Sequence, residues 1–339
     1  MQVPSLSFLG FLLVTLVLCL SVGRGSRQAG RKVLALAGVV FTVLGGGWSG
    51  FAVLAAGTAA TAAVLWCLER LDALPRRLAM AMGCLWHIAV LAVCKLTGWM
   101  PLGISFFTFQ QLWLLKEAYT GQYRRSQGDS LLLYTFFFPT VTSGPILRPE
   151  EFFPQLREAF LCPSWGDAAA GLYAISFGMA KKVLLADPLG AVVSNGWALG
   201  QELTAPAAWI VILGYTLRLY LDFSGYCDIA SGCARLLGIR LPVNFDSPYR
   251  ALSVGEFWKR WHITLTSFLR ECVYIPLGGS RRGSVRTYGN ILIVYLISGL
   301  WHGTGWTFLV WGLLHGLAQV GERLWGRRRE RLPKGLRWA

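Results

Sequence analysis

Between short clusters of arginine and lysine, this chain runs repeatedly through apolar stretches long enough to cross a lipid bilayer. Leu6 to Val22 is one, Leu78 to Leu96 another, and Leu203 to Phe223 a third. About 20 mostly apolar residues in helical form reach across the hydrocarbon core. Only 14% of the residues are charged while 54% are apolar, against about 25% charged in a soluble domain. A water-soluble fold could not cover that much apolar side chain. The chain is expected to be an all-α polytopic membrane protein.

The charges that do occur are arranged to match. Lys and Arg number 32 against 17 Asp and Glu, a formal charge of +15. The basic residues fall between the apolar runs: Arg24, Arg27, Arg31 and Lys32, then Arg76 and Arg77, then Arg124 and Arg125, and finally Arg327 to Arg331. Cytoplasmic loops carry this bias, so the N-terminus is expected outside and the C-terminus inside. The clusters have no soluble domain attached, which argues against a nucleic-acid partner. Leu6 to Val22 lacks the preceding basic residues of a secretory signal, and Arg24 and Arg27 follow it instead. The eight cysteines show no CxxC or CxxH spacing; they read as small buried hydrophobes, with no metal site.

Several runs depart from simple spans. Val33 to Leu68 is too long for one helix and should break at Gly45 to Gly50. Leu131 to Ile146 contains Pro139, Ser143, Gly144 and Pro145 and reads as a re-entrant or broken helix, since irregular backbone at membrane depth needs protein or a water-filled cavity around it. Ala168 to Val193 holds Lys181 and Lys182 near its middle, where cations must face protein or water. Asn290 to Trp301 and Gly303 to Val320 read as two short or broken segments, followed by a basic cytoplasmic tail over 322–339. No repeat divides the chain, and 1–339 is expected to be a single membrane domain.

Candidate chemistry rests on four histidines, the side chains best suited to exchange a proton near neutrality. His302 lies in Ser298-Gly299-Leu300-Trp301-His302-Gly303-Thr304-Gly305-Trp306. Glycine neighbours permit close approach of a ligand, so His302 could be a base in an aromatic pocket, or a buried histidine that bonds a carbonyl; both readings stand. His262 follows Glu256-Phe257-Trp258-Lys259-Arg260-Trp261. As a helix, this segment puts Trp258, Trp261, Leu265 and Phe268 on one face. An amphipathic helix on the membrane surface is the preferred reading; the alternative is a helix that dips inward and offers His262 and cations to a phosphate-bearing donor. His87 has no polar neighbour and reads as a packed interhelical histidine. His315 is a structural or supporting residue near His302. Asp222 should pair with Arg218, four residues earlier. Gly278 to Gly283 is glycine-rich and basic but lacks a Walker ending, and a cytoplasmic turn explains it. No GxSxG elbow supplies a serine nucleophile.

Taken in order, several of these segments resemble the membrane-bound O-acyltransferase family, in its alginate O-acetyltransferase-like branch. The matching runs are Leu102-Gly103-Ile104-Ser105-Phe106-Phe107-Thr108-Phe109-Gln110, Ser143-Gly144-Pro145-Ile146-Leu147-Arg148, Lys181-Lys182-Val183-Leu184-Leu185-Ala186-Asp187 and Tyr220-Leu221-Asp222-Phe223-Ser224-Gly225-Tyr226. They continue through Asn244-Phe245-Asp246-Ser247-Pro248-Tyr249, Glu256 to Ile263, Tyr274-Ile275-Pro276-Leu277-Gly278-Gly279 and Ser298 to Gly303. The resemblance implies a funnel of about 9–11 transmembrane and re-entrant helices in a bacterial cytoplasmic (inner) membrane, with its motif-bearing core over about 100–320. It implies no bound cofactor, cytoplasmic acetyl-CoA as donor substrate, and a polysaccharide acceptor outside. His302 takes the position of the family's essential histidine and His262 that of the second motif histidine. Trp301, Gly303, Trp261, His315, Asp222 and Asn244 would line a tunnel or support it, and Lys259 and Arg260 would meet the donor. An extracytoplasmic esterase-like partner would complete transfer, in keeping with the missing serine elbow. Family members continue past the second histidine helix with further spans, whereas this sequence stops at Ala339; it is either a complete short version or leans on a partner.

Two related reactions fit the same scaffold: D-alanyl transfer to teichoic acid and O-acetylation of peptidoglycan. From another class come a transporter, whose intramembrane cations and histidines would form an ion path, and an idle assembly scaffold. Repeat-related broken helices, which many transporters show, are missing.

Overall fold

The computed structural model describes residues 3–124, 130–158 and 160–326; among them every regular element is a helix. In chain order these are α1 (Leu6–Gly25), α2 (Arg27–Arg70), α3 (Ala73–Thr97), α4 (Ile104–Thr120), α5 (Leu131–Thr135), α6 (Pro149–Glu158), α7 (Trp165–Met179), α8 (Asp187–Leu199), α9 (Ala205–Leu236), α10 (Val254–Arg260), α11 (Ile263–Leu269), α12 (Ser284–His302) and α13 (Trp306–Trp325). Leu6–Gly25, Arg27–Arg70, Ala73–Thr97 and Trp165–Glu202 are each long and apolar enough to cross a membrane. The basic cluster at 327–331, the tail around it and Arg125 lie outside the described residues.

The described residues group into two compact units, one drawn from 1–55, 125–144 and 149–241, the other from 56–124, 145–148 and 242–339. In the first, α2 is kinked within the expected glycine run, at Gly47, whose φ of 72° and ψ of 171° suit only glycine. A Cβ at Gly38 would collide with the Phe136 carbonyl, and the Phe51 ring lies 5.5 Å from that of Phe136. A straight helix from 38 to 51 would hold the two positions about 20 Å apart. After α5 the chain turns through buried Phe136, Phe137 and Phe138, so the segment with Pro139 and Gly144 is broken as its composition requires. Phe138 packs against Phe8 at 6.5 Å and Phe41 at 5.9 Å. Arg31 donates to the Leu156 carbonyl at 2.7 Å, satisfying a carbonyl near the end of α6 that no further helical turn could reach.

The paired lysines sit in a π-helical turn, Ala180–Ala186, that joins α7 to α8. A π-turn places one extra residue on a helix face and is often found at functional positions. Here it turns both cations toward carboxylates. Lys181 Nζ lies 2.7 Å from Asp228, and Lys182 Nζ lies 2.7 Å from Asp187 and 2.8 Å from Asp222. The expected Arg218–Asp222 pair does not form: Lys182 takes the carboxylate, because the π-turn brings its ammonium to α9 while Arg218 packs beside Gly190. The helices approach closely because glycines face each other. A Cβ at Gly178 would come 2.5 Å from the Gly225 carbonyl, and one at Gly232 would come 2.5 Å from the Gly171 carbonyl.

In the second unit, α12 and α13 are whole helices and not the short segments expected. The polar start of α12, with Arg286, Thr287 and Asn290, hides its length from a hydropathy reading. Glycines again set the contact: side chains at Gly299 and Gly312 would strike the Phe308 and Tyr295 carbonyls. Asn290 donates to the carbonyl of Gly279 at 2.9 Å and to that of Leu277 at 3.4 Å, fixing the glycine-rich loop before the helix. Arg148 pairs with Glu271, which Lys116 also approaches at 3.4 Å, and the Arg148 guanidinium lies 4.7 Å from the centre of the Trp113 ring.

The Lys181–Asp228 pair gives a stability test. Its side chains are 15% and 34% exposed, so Lys181→Met leaves a largely covered carboxylate without its cation. Unfolding free energy should fall by about 3 kcal/mol, seen as a lower thermal midpoint in detergent. Lys181→Met with Asp228→Leu should recover most of the loss; equal midpoints for the single and double variants would contradict the account.

Candidate active site

The motif histidines gather in the second unit around one indole. Trp301, 8% exposed, donates from its Nε1–H to the Ser105 carbonyl of α4 at 3.2 Å. Its ring stacks on Phe109 at 5.1 Å and meets the edge of Phe106 at 5.5 Å. The His262 ring centre lies 6.2 Å from it, and that of His302 lies 4.7 Å away. An aromatic side chain held on several sides is a rigid wall, and both imidazoles take their places from it.

His262 does not ride on a surface helix. The segment splits into α10 and α11, and His262 stands at the break with φ 46° and ψ 54°. The preferred amphipathic-helix reading is thereby corrected. Backbone pairing with 244–246 displaces helical bonds at the break: Asp246 N–H donates to the Arg260 carbonyl at 2.9 Å, and Ile263 N–H donates to that of Asn244 at 3.0 Å. A non-glycine residue in left-handed backbone costs roughly 1–2 kcal/mol, a strain often found at functional sites. Its result here is an imidazole only 2% exposed. Asn244 Oδ1 lies 3.2 Å from His262 Nδ1 and accepts from Thr264 N–H at 3.2 Å and the Thr264 hydroxyl at 2.9 Å. The Thr264 hydroxyl in turn accepts from Ile146 N–H at 3.1 Å. Phe106 stacks on the other side of the His262 ring at 6.0 Å.

His302 is the opposite case. It is the last residue of α12, exposed, and its imidazole makes no hydrogen bond among the described residues. The rings of Trp301 and Trp311 flank it at 4.7 and 5.1 Å. The Gly303 backbone is extended after it, and a side chain there would collide with the Phe308 ring. The tryptophans on either side restrict the tilt of this ring.

The remaining candidates are placed as follows. Trp261 stacks on Phe257 at 5.6 Å and meets Phe245 edge-on at 5.1 Å. His315 touches Trp311 at 4.7 Å and Trp258 at 5.1 Å, which links it to His302 through Trp311. Lys259 is exposed, whereas Arg260 is held by Glu256 at 2.8 Å. Asp222 belongs to the first unit, bound to Lys182. His87, in the second unit, is 2% exposed and meets the Thr61 hydroxyl at 2.9 Å through Nε2, a packing role as expected. Thr264 and Phe106 escape sequence reasoning. Both lie inside matching or adjoining apolar runs; Thr264 reaches the site through Asn244, and Phe106 reaches His262 from α4.

With this geometry in view, likeness to known proteins decides the family. The family model described as MBOAT, membrane-bound O-acyltransferase family, matches residues 79–334. This chain belongs to that family. A peptidoglycan O-acetyltransferase of Helicobacter pylori is 38% identical over 271 residues, covering 70% of this chain and 51% of the relative. A protein of Pseudomonas aeruginosa named "probable alginate O-acetylase" is 36% identical over 241 residues, covering 70% and 46%. A teichoic acid D-alanyltransferase of Bacillus subtilis is 28% identical over 257 residues, covering 70% and 63%. The chain spans about half the length of the first two relatives.

The contrast in exposure can be read chemically. Carbethoxylation of the detergent-solubilised chain, mapped by mass spectrometry, should mark His302 first and half-buried His315 next. His87 and His262 should react only on unfolding. Reaction of His262 as fast as that of His302 would contradict the burial described.

Proposed function

We propose that this chain is an O-acyltransferase that passes an acetyl group from cytoplasmic acetyl-CoA toward hydroxyls of an extracytoplasmic polysaccharide. The observation that carries the reading is the placement of His302: open at a helix end, edge to face between two indoles, with a second imidazole across Trp301. His302 takes the proton of the acceptor hydroxyl as its oxygen bonds to the thioester carbonyl carbon. The carbon–sulfur bond then breaks, and the imidazolium returns the proton to the leaving thiolate. General-base assistance of this kind contributes about 100- to 10,000-fold. Trp301, Trp261 and Gly303 shape the passage, and Lys259, exposed on α10, meets the donor's phosphates.

Two relatives are named for O-acetylation of polysaccharides, peptidoglycan in one case and alginate in the other. That supports a polysaccharide acceptor as a class, and an alginate-like exopolysaccharide is the first to test. The basic clusters support a bacterial inner-membrane position with the N-terminus outside and the C-terminus inside. In this reading a separate extracytoplasmic esterase-like protein completes the transfer.

In a host deleted for this chain, the wild-type sequence should restore acetyl groups on the secreted polymer. His302→Ala should lower acetyl content by about 100-fold or more at equal membrane abundance. Full acetylation by that variant would remove the assignment.

A further inference from the structure

The hydrogen bonds around Asn244 contain more than a packing arrangement. An amide side chain has one end that only accepts and one that only donates. Which end faces a neighbour is fixed when that neighbour is a backbone N–H, because a backbone amide can only donate. Thr264 N–H points at the Asn244 side chain at 3.2 Å, so the atom facing it is the oxygen. The Thr264 hydroxyl accepts from Ile146 N–H, leaving its own hydrogen to be donated to that oxygen at 2.9 Å. His262 Nδ1 meets the same oxygen at 3.2 Å. Facing an atom that can only accept, Nδ1 must carry the hydrogen.

From this juxtaposition we propose that Asn244 is a positioning residue that locks His262 as the Nδ1–H tautomer, making Nε2 the proton-accepting atom of the ring. The inference rests on the acyl-transfer reading for its purpose, though not for its geometry. The backbone reinforces the lock. Ile263 N–H bonds the Asn244 carbonyl at 3.0 Å, so residue 244 is tied to His262 by main chain as well as side chain. The left-handed backbone at His262 sets the ring direction, and Phe106 stacked at 6.0 Å limits its swing. A ring fixed in this way cannot present an N–H from Nε2 while neutral. It is an acceptor at that atom, and it cannot serve as a neutral donor to a developing oxyanion. No proton is added to or removed from the reaction: the hydroxyl hydrogen ends on the thiol, as described above.

Nitrogen-15 NMR of the full chain in lipid nanodiscs, labelled at histidine, tests the lock directly. The His262 signals among the four histidines are identified by their loss in His262→Gln. With the ring neutral, the unprotonated nitrogen of His262 should couple to both ring carbon-bound hydrogens, the signature of Nε2. Asn244→Leu, which removes the acceptor, should shift the ring toward the Nε2–H form. In the acetylation assay it should lower turnover by about 10- to 100-fold, as loss of an orienting partner does, with little change in the KM for acetyl-CoA. Asn244→Asp keeps an oxygen that can accept all three hydrogen bonds and should restore both the Nδ1–H signature and most of the turnover lost in the leucine variant. A wild-type ring protonated on Nε2 overturns the proposal even where the variants fail to fold. An Asn244→Leu variant that keeps both tautomer and turnover overturns it as well. If the tautomer is as stated but no acyl transfer occurs, the proposed function fails and the positioning role of Asn244 stands.

Discussion

Hydrocarbon offers a polypeptide no hydrogen bonds, and this architecture follows from that scarcity. Each backbone amide within a bilayer must find its partner in the protein, which is why every regular element among the described residues is a helix. Wherever a helix stops or changes pitch inside the apolar sequence, some group must be supplied for the released carbonyls and N–H groups. Arg31 does this for the end of α6, and Asn290 for the glycine-rich loop ahead of α12. At the break between α10 and α11, residues 244–246 do it with their own backbone. The candidate site is built at that last break. It is a place where helical bonding has been exchanged for pairing with a distant stretch of chain, and the exchange holds a histidine in a conformation that no continuous helix would give it.

Charge obeys the same economy. Lys181 and Lys182 lie within an otherwise apolar run, and each ends on a carboxylate of α8 or α9. Glycine pairs make this possible, because the close approach of α7 to α9 brings short aspartate side chains within reach of the π-turn. A larger residue at Gly178 or Gly225 would push the helices apart and separate cation from anion together. Packing and electrostatics are therefore not independent contributions in this unit; the first sets the distance over which the second acts.

What the sequence disclosed and what it withheld divide along the range of the interactions. Breaks written in local chemistry were legible: Gly47 falls inside the expected glycine run, and the chain is irregular where Pro139 and Gly144 require it. Partners chosen over long range were not. Asp222 pairs with Lys182 and not with the nearer Arg218, because a π-turn 40 residues earlier redirects the lysine. The His262 segment has a good helical face in its periodicity, yet backbone pairing with residues around 244 outweighs that pattern. Likewise α12 is longer than its hydropathy suggests, since its first turns carry Arg286 and the buried polar Thr287 and Asn290. For the site, residue chemistry left His302 open between two readings and favoured the bland one for His262. The family resemblance drew both histidines and Asn244 forward, and the coordinates place all three in one unit, with Thr264 and Phe106 added.

The two imidazoles share a neighbour and little else. His262 is buried, tied through Nδ1 and stacked on Phe106; His302 is exposed, flanked by two indoles and without a hydrogen-bonding partner among the described residues. A fixed ring and an open ring suit different parts of one transfer. Moving a proton between two substrates requires a group that can meet each in turn, and an unfettered ring at a helix end can do so. Keeping Trp301 and the rings around it in place calls for a neighbour whose direction does not change, because misplacement by about 1 Å can cost about 100-fold in rate. Trp301, between the rings and anchored to the Ser105 carbonyl, sets the spacing at which the two roles could be combined. The asymmetry of the pair, more than the presence of either histidine, is what the proposed transfer draws on.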